Sequence, residues 1–200
     1  MRLGVLVSGR GSNLEAVLAA AGSGKLPHVE PVVVISNRAG VRALAVAREH
    51  RIPALVLAGR EFPDLAARDA AIGRALTAAH CDLALLAGYD QLLRPSFFAA
   101  FRGRVINIHP SLLPRHGGPG MTGLAVHASV LAAGERETGV TIHEVTPELD
   151  QGPPIEQVSV PVLDDDTVER LAERVLAIEH QTLVRVLSRL SASMTAAPRA

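Results

Sequence analysis

The chain has 200 residues, 48% of them hydrophobic, and its 20 basic residues balance 20 acidic ones. This composition predicts one globular domain with a substantial core, and the zero net charge argues against a general electrostatic affinity for nucleic acid or anionic membranes. Cys81 is the single cysteine, and no apolar run is long enough for a signal peptide or a membrane span. We therefore expect a soluble, cytoplasmic protein without disulfides.

Short apolar runs alternate with helical segments in the first half of the chain. The runs are apolar throughout, which is typical of a parallel sheet covered on both faces. Strands are predicted at residues 3–7, 31–35, 54–57, 82–87 and 104–108, with helices at residues 13–21, 41–50 and 64–79.

The pattern changes after Gly123. A helix is predicted at residues 124–133, an alternating strand at 139–145, a further strand at 155–160, and a last helix from a capping-box pattern at 166–169 to about Leu190. The predicted fold class is α/β: a single Rossmann-like domain at residues 1–190, with a flexible tail at 191–200. Its sheet is mostly parallel and twisted, with helices on both faces and an antiparallel carboxy-terminal portion.

The distinctive segments follow the predicted strands. In an open parallel sheet, ligands bind beyond the carboxyl ends of the strands, where the strand order reverses. The loops that leave the first, fourth and fifth strands hold residues 8–13, 88–93 and 107–111. These loops should meet at one edge, which predicts a single active site.

The loop Ser8-Gly9-Arg10-Gly11-Ser12-Asn13 leaves a strand and opens a helix. Free N–H groups at such a helix start attract phosphate. Leu14 stands where a dinucleotide-binding fingerprint has glycine, and no Lys of a Walker loop follows, so a phosphate monoester fits better than a dinucleotide. The alternative is a plain strand-to-helix turn with Ser12 as its cap.

Asn107 and His109 stand two residues apart at the end of the fifth strand, and Pro110 ends that strand. Period-2 spacing puts both side chains on one face. A neutral hydrogen-bond donor beside a group that titrates near pH 7 suits a reaction that builds a negative oxygen while it moves a proton. The alternative is a strand end with internally satisfied polar groups.

Two further carboxylates have competing interpretations. Asp150, in Glu148-Leu149-Asp150-Gln151-Gly152, either forms a turn or approaches His109, where it would raise the imidazole pKa and fix its tautomer. Glu179 shares a helical stripe with apolar residues and either turns outward or reaches a pocket. The acidic run at residues 164–166 is interpreted as a helix start, so no metal site is expected.

Together these motifs resemble the phosphoribosylglycinamide formyltransferases, the folate-dependent enzymes of purine (IMP) biosynthesis. The resemblance covers residues 1–190. The motifs that carry it are SGRGSNL (8–14), SNRAG (36–40), LAGY (86–89), NIHPSLLP (107–114), GVTIHEVTPELDQGPPI (139–155) and Ile178-Glu179-His180.

The resemblance implies a one-carbon transfer. The amine of 5'-phosphoribosylglycinamide would attack the formyl carbon of 10-formyltetrahydrofolate, the co-substrate, without a metal. Asn107 and His109 would stabilise the tetrahedral oxyanion. His109 would also supply a proton to the leaving folate nitrogen, and Asp150 would keep its imidazole protonated and oriented.

The resemblance also implies the ligand sites. The ribonucleotide phosphate would bind at Gly11, Ser12 and Asn13, and Glu179 would accept hydrogen bonds from other polar groups of the same substrate. The folate would bind largely through backbone groups of Asp90, Gln91, Leu92, Leu93, Asn107, Thr146, Pro147, Glu148, Leu149 and Asp150. The expected partners are small molecules only, and the protein would be a monomer or a homodimer.

The chain departs from the family pattern at two places. The family usually has Met-Arg after the LAGY motif, where this chain has Asp90-Gln91. An Arg that assists folate binding early in the third helix corresponds to Leu65, with Arg60 and Arg68 as candidate substitutes.

Three alternatives to a phosphoribosylglycinamide formyltransferase differ from it in recognisable features. Formyltetrahydrofolate hydrolases have an additional amino-terminal domain and tend to have a second His at the position of Pro110. Transfer-RNA formyltransferases have an additional carboxy-terminal domain and more basic charge. A non-catalytic folate- or nucleotide-binding module would have no need of Asn107, His109 and Asp150 together.

Overall fold

The computed structural model describes residues 1–196, which form seven strands and six helices. The strands are β1 (Arg2–Val7), β2 (Glu30–Ser36), β3 (Ala54–Val56), β4 (Leu83–Leu86), β5 (Arg104–His109), β6 (Glu137–Glu144) and β7 (Pro154–Pro161). The helices are α1 (Ser12–Gly22), α2 (Arg42–Glu49), α3 (Leu65–Ala78), α4 (Pro95–Ala100), α5 (Leu124–Ala132) and α6 (Val168–Ala196). A 3-10 turn, Gly59–Glu61, precedes α3.

The strands form one sheet in the order β3-β2-β1-β4-β5-β6-β7. The first five strands along the chain pair in parallel, whereas β6 runs antiparallel to both β5 and β7. The predicted fold class is therefore confirmed, including its antiparallel carboxy-terminal portion.

Helices cover both faces of the sheet, because alternate strand residues point to opposite sides. Val5 belongs to a core cluster that also includes Val175 of α6, together with residues of α1, α2 and α5. Leu6, the next residue along β1, packs instead with Ile72 of α3 and Phe97 of α4. The sheet is thus a buried central layer, as its continuously apolar strands predicted.

The strand order reverses beside β1, which lies between β2 and β4. The chain leaves β1 toward α1 on one face and leaves β4 toward α4 on the other. Diverging loops of this kind leave a crevice at the carboxyl edge of the sheet. The backbone N–H of Ser8 donates to the carbonyl of Gly88 across this point (3.1 Å), so the two loops start in contact.

Three local predictions differ from the structure. Helix α4 was not predicted, because six residues are too few to show helical periodicity. The cap of α6 is Thr167, whose Oγ1 accepts from the backbone N–H of Arg170, while Asp166 is occupied by both terminal nitrogens of Arg174. Helix α6 also continues to Ala196 instead of ending near Leu190.

The carboxy-terminal residues were predicted to form a flexible tail. Residues 191–196 are instead helical, and Ser191 is buried. Residues 197–200 lie outside the described residues. Within residues 1–196 no helix combines the length and apolarity that a bilayer crossing requires.

Candidate active site

A cavity of about 400 Å³ lies at the carboxyl edge of the sheet. Its wall includes the starts of the loops after β1, β4 and β5, together with residues of the segment 118–123 and of the segment 145–150. The predicted site residues that line it are Asp90, Gln91, Leu92, Leu93, Asn107, His109, Thr146, Glu148, Leu149 and Asp150. Most of the predicted folate-site and catalytic residues thus share one cavity, and Pro147 does not contribute to its wall.

His109 is the last residue of β5 and is only 4% exposed. Its Nε2 lies 2.9 Å from the carbonyl oxygen of His116. Because a carbonyl can only accept, Nε2 must carry the proton. The described residues give Nδ1 no hydrogen-bond partner, so Nδ1 is the ring nitrogen that remains to exchange a proton with a ligand.

Asn107 lies opposite His143 in the antiparallel ladder of β5 and β6. Its Nδ2 is 3.1 Å from Nε2 of His143, and Nδ1 of His143 is 2.8 Å from the carbonyl of Glu144. Burial lowers the pKa of His143 and outweighs the opposing effects of the Glu144 carbonyl and the Asp150 charge. The neutral ring therefore donates from Nδ1 and accepts one amide hydrogen of Asn107 at Nε2, leaving the second hydrogen for a ligand.

Asp150 is placed differently from its predicted contact with His109. Its Oδ2 accepts from the backbone N–H of Gly118 (2.8 Å), and its Oδ1 lies 3.7 Å from Nε2 of His143. No hydrogen bond joins Asp150 to His109 among the described residues. The carboxylate shares the cavity wall with the imidazole but is held by the neighbouring loop.

The side chains of Asp90 and Gln91 are occupied within the protein. Arg38 forms an ion pair with Asp90, and Arg68 donates to Oε1 of Gln91 (3.3 Å). Burial opposes ionisation of Asp90, but the polar groups of Ser8, Asn37 and Gln91 and the charge of Arg38 together hold its pKa below the ordinary value. A ligand at this loop therefore meets Asp90 and Gln91 with their side chains already paired within the protein.

Arg68 does not replace the arginine that the family has at position 65. It is almost completely buried, and its Nε and Nη2 both donate to Oδ1 of Asp69 (2.9 and 2.6 Å). Oδ2 of Asp69 accepts in turn from the backbone and side chain of Arg94. The pairing of Asp69 with Arg94 joins α3 to the start of α4, just after the loop that bears Gln91.

Ser8 and Gly9 of the predicted phosphate loop line the cavity, whereas Gly11, Ser12, Asn13 and Glu179 lie outside its wall. Gly11 caps α1 with a φ of +84°, and a Cβ there would lie 2.7 Å from Cβ of Ala43. Burial raises the pKa of Glu179 to about 7, and the nearby Asn13 partly offsets this effect. Asn13 is also buried, and its Oδ1 has no hydrogen-bond partner among the described residues. Ser12 forms the first residue of α1.

Sequence reasoning missed three residues of the site. His143 was given no role from the sequence, yet its ring accepts from the amide of Asn107. Ser8 and Asn37 lie in the motifs that carry the resemblance but received no role. Both form hydrogen bonds with Asp90, and Ser8 also donates to Asn37. The alternating pattern of β6 was visible in the sequence, but only its pairing with β5 brings His143 to Asn107. Among residues 1–196, no group of three or more His, Cys, Asp or Glu side chains is placed to hold a metal ion.

Comparisons with known proteins place the chain in a family. The formyl transferase family matches residues 1–187. Phosphoribosylglycinamide formyltransferase of Haemophilus influenzae is 37% identical over 180 residues, which are 90% of this chain and 82% of that protein. The structure of glycinamide ribonucleotide transformylase 1 from Symbiobacterium toebii aligns with a TM-score of 0.89 at 40% identity, covering 96% of this chain and 88% of its own.

A longer relative shares the same region. The trifunctional purine biosynthetic protein adenosine-3 of Drosophila melanogaster is 42% identical over 190 residues, or 94% of this chain. This chain spans only 14% of that protein's length. The match over residues 1–187 and the well-covered bacterial relative decide the assignment. The chain belongs to the formyl transferase family, among its phosphoribosylglycinamide formyltransferases.

Proposed function

We propose that this chain transfers the formyl group of 10-formyltetrahydrofolate to the amine of 5'-phosphoribosylglycinamide, a step of IMP biosynthesis. The observation that carries the proposal is the placement of Asn107 and His109 side by side on the cavity wall, at the carboxyl end of β5. An amide hydrogen and an imidazole nitrogen there can act on one oxygen. Membership of the formyl transferase family supports the choice of the formyl group as cargo.

The transfer makes one bond and breaks another. The amine nitrogen bonds to the formyl carbon and gives a tetrahedral intermediate with a negative oxygen. The bond from that carbon to N10 of the folate then breaks, and the proton that the amine loses ends on N10. The protein must therefore stabilise an oxyanion and move one proton.

Asn107 is assigned to the oxyanion. His143 takes one hydrogen of its amide, and the other is available to the negative oxygen without further rearrangement. A preorganised donor of this kind acts at no reorganisation cost during the reaction. The amide does not change charge, so its contribution does not depend on its own protonation.

His109 is assigned to proton transfer through Nδ1. The His116 carbonyl keeps a proton on Nε2 in either charge state of the ring. Nδ1 then accepts a proton when the ring is neutral and donates one when the ring is charged, to the oxyanion or to N10, directly or through water.

Asp150 is assigned an electrostatic role at the cavity wall, because its carboxylate is held by Gly118 beside His143. Its negative charge lies on the same cavity wall as the His109 imidazole. The hydrogen bond to Gly118 also joins the two segments that flank the cavity, so the carboxylate orders the site as well as polarising it.

The ribonucleotide is assigned to the start of α1. The backbone N–H groups of Gly11, Ser12 and Asn13 suit a phosphate monoester at a helix start. Glu179 and the unpartnered oxygen of Asn13 are available to polar groups of the same substrate. The folate is assigned to the cavity itself, against residues 90–93 and 146–150, as small-molecule co-substrate without a metal.

The test is the absorbance change when a 10-formyl folate loses its formyl group, measured with and without 5'-phosphoribosylglycinamide. Deformylation that requires the amine and yields the N-formyl product supports the proposal. Deformylation that proceeds equally without the amine would identify a hydrolase. Absence of turnover, with both ligands raising the Tm, would identify a binding module.

A further inference from the structure

Three loops are joined by a ring of hydrogen bonds at the point where the strand order reverses. The backbone N–H of Asp90 donates to Oγ of Ser8 (3.0 Å). Oγ of Ser8 donates to Oδ1 of Asn37 (2.7 Å), and Nδ2 of Asn37 donates to Oδ1 of Asp90 (2.9 Å). Each member follows a different strand, β1, β2 or β4, so the ring ties three strand ends together.

Two further side chains, Arg38 and Gln91, extend this ring. Arg38 pairs with Oδ2 of Asp90, and Gln91 donates to both the carbonyl and Oδ1 of Asp90 (3.1 and 3.2 Å). Oε1 of Gln91 faces the buried Arg68, so the orientation of the amide is determined. The Asp90 side chain therefore has internal donors on both carboxylate oxygens, and residues 88–93 line the cavity.

We propose that Asp90 is a positioning residue, which holds the loop at residues 88–93 in its folate-binding conformation through Ser8 and Asn37. This inference rests on the proposed function, because it takes that loop as part of the folate site. In this role the Asp90 side chain acts through Ser8 and Asn37 and not through contact with the folate. The same ring fixes Ser8, where the predicted phosphate loop begins, so Asp90 links the walls of both substrate sites.

The ring makes a specific demand at position 90. The backbone N–H closes one side of the ring, and a side-chain oxygen must accept from Asn37 on the other. Asp90→Ala removes that acceptor and leaves Nδ2 of Asn37 and the guanidinium of Arg38 without it. Asp90→Asn keeps an oxygen for Asn37 but loses the charge that pairs with Arg38.

The first readout is amide hydrogen exchange, which needs no activity. Asp90→Ala should speed amide exchange in the segment 88–93 by at least about tenfold. The loop can then open without breaking the hydrogen bonds of the Asp90 side chain. Asp64→Ala is the control: it removes the N-cap of α3, whose carboxylate accepts from Ala67, and destabilises a neighbouring element without touching the ring. Equal exchange in Asp90→Ala and the native protein would overturn the proposal.

The second readout is kinetic. Asp90→Ala should raise the KM for the 10-formyl folate about tenfold and change kcat less than about threefold, because a disordered loop costs binding before it costs chemistry. Asp90→Asn should restore most of the KM, and Asp64→Ala should leave it unchanged. An unchanged KM in Asp90→Ala would refute the proposal. An equally large rise of the KM in Asp90→Asn would assign the effect to the ion pair with Arg38 and refute the role of the ring.

A double-variant cycle tests the path through Ser8. Ser8→Ala and Asp90→Ala break the same ring, so their effects on exchange should be less than additive in the double variant. Additive effects would contradict the connection. If the native protein does not deformylate the folate, the proposed function fails, while the exchange data still decide the positioning role.

Discussion

The two nitrogens of the His143 ring have different tasks. Nδ1 donates to the carbonyl of Glu144, and Nε2 accepts from the amide of Asn107. Burial keeps this ring neutral by lowering its pKa. Protonation would place two donors face to face and direct Nε2 toward Asp150, 3.7 Å away, so a charged His143 would release the amide.

His143→Ala should therefore reduce kcat by ~10- to 100-fold, less than the ~10²–10³-fold cost of losing an oxyanion donor outright. His143→Gln is the matched variant, because its amide oxygen can still accept from Asn107, and it should recover most of the activity. Steady-state kinetics at saturating substrates measure both. Equal kcat in His143→Ala and the native protein would show that Asn107 needs no such support.

The proton-transfer role is tested at His109 itself. His109→Ala should lower kcat by ~10²–10⁴-fold with little change in ligand binding, as expected for a general acid or base. Asp150→Asn removes the nearby charge and should also lower turnover by at least ~10²-fold. Single-turnover rates with binding measured separately give the comparison, and unchanged turnover in either variant would remove that residue's assigned role.

At the scale of elements, the site was predictable where it depends on strand ends. Asn107 and His109 share a face because strands have a period of two, and β5 was visible as an apolar run ended by Pro110. Asp150 and His143 were less accessible, because their neighbours depend on the pairing of β5 with β6 and on the loop that bears Gly118. Contacts between distant elements leave no periodic signal in the chain.

The turn from β1 into α1 gives a prediction at this scale. Gly11→Ala should destabilise the protein by about 1–3 kcal/mol, because φ is +84° and Ala43 leaves no room for a Cβ. Gly22→Ala is the control: it lies in the same helix, has open space around its Cα, and should be neutral or stabilising by up to about 1 kcal/mol. Urea unfolding measures both, and equal effects would contradict the assigned geometry.

Two buried groups should make the stability of the whole molecule depend on pH, and their effects run in opposite directions. Burial lowers the pKa of His127 from 6.5 to about 4, so its stabilising contribution is complete above pH 6.5 and is lost as the pH falls toward 4. Burial raises the pKa of Glu179 from 4.5 to about 7, so its contribution is complete below pH 4.5 and is lost as the pH rises through 7.

Glu179→Gln should therefore match the native protein in stability near pH 4.5 and exceed it by up to about 3 kcal/mol at pH 8. His127→Gln should change the slope of stability against pH in the opposite direction between pH 4 and 6.5. Chemical denaturation across this pH range measures both slopes. Parallel profiles for Glu179→Gln and the native protein would place the Glu179 carboxyl in water.

The same Glu179→Gln variant separates stability from substrate binding. If the carboxylate accepts from the ribonucleotide, as proposed, the KM for that substrate should rise while the protein becomes more stable. A residue that lowers stability at the pH where it serves a ligand is common at functional sites.

The antiparallel return of β6 has an evolutionary consequence. Because the ladder sets Asn107 opposite His143, their meeting depends on the hydrogen-bonded register and not on the length of the connection between them, residues 110–136. A change of length in that connection need not move the amide–imidazole pair, but His116 and Gly118 within it hold His109 and Asp150 and have to keep their places. A foreign segment grafted into this connection therefore has to leave the contacts of His116 and Gly118 intact, whereas the pairing of Asn107 with His143 depends only on the two strands.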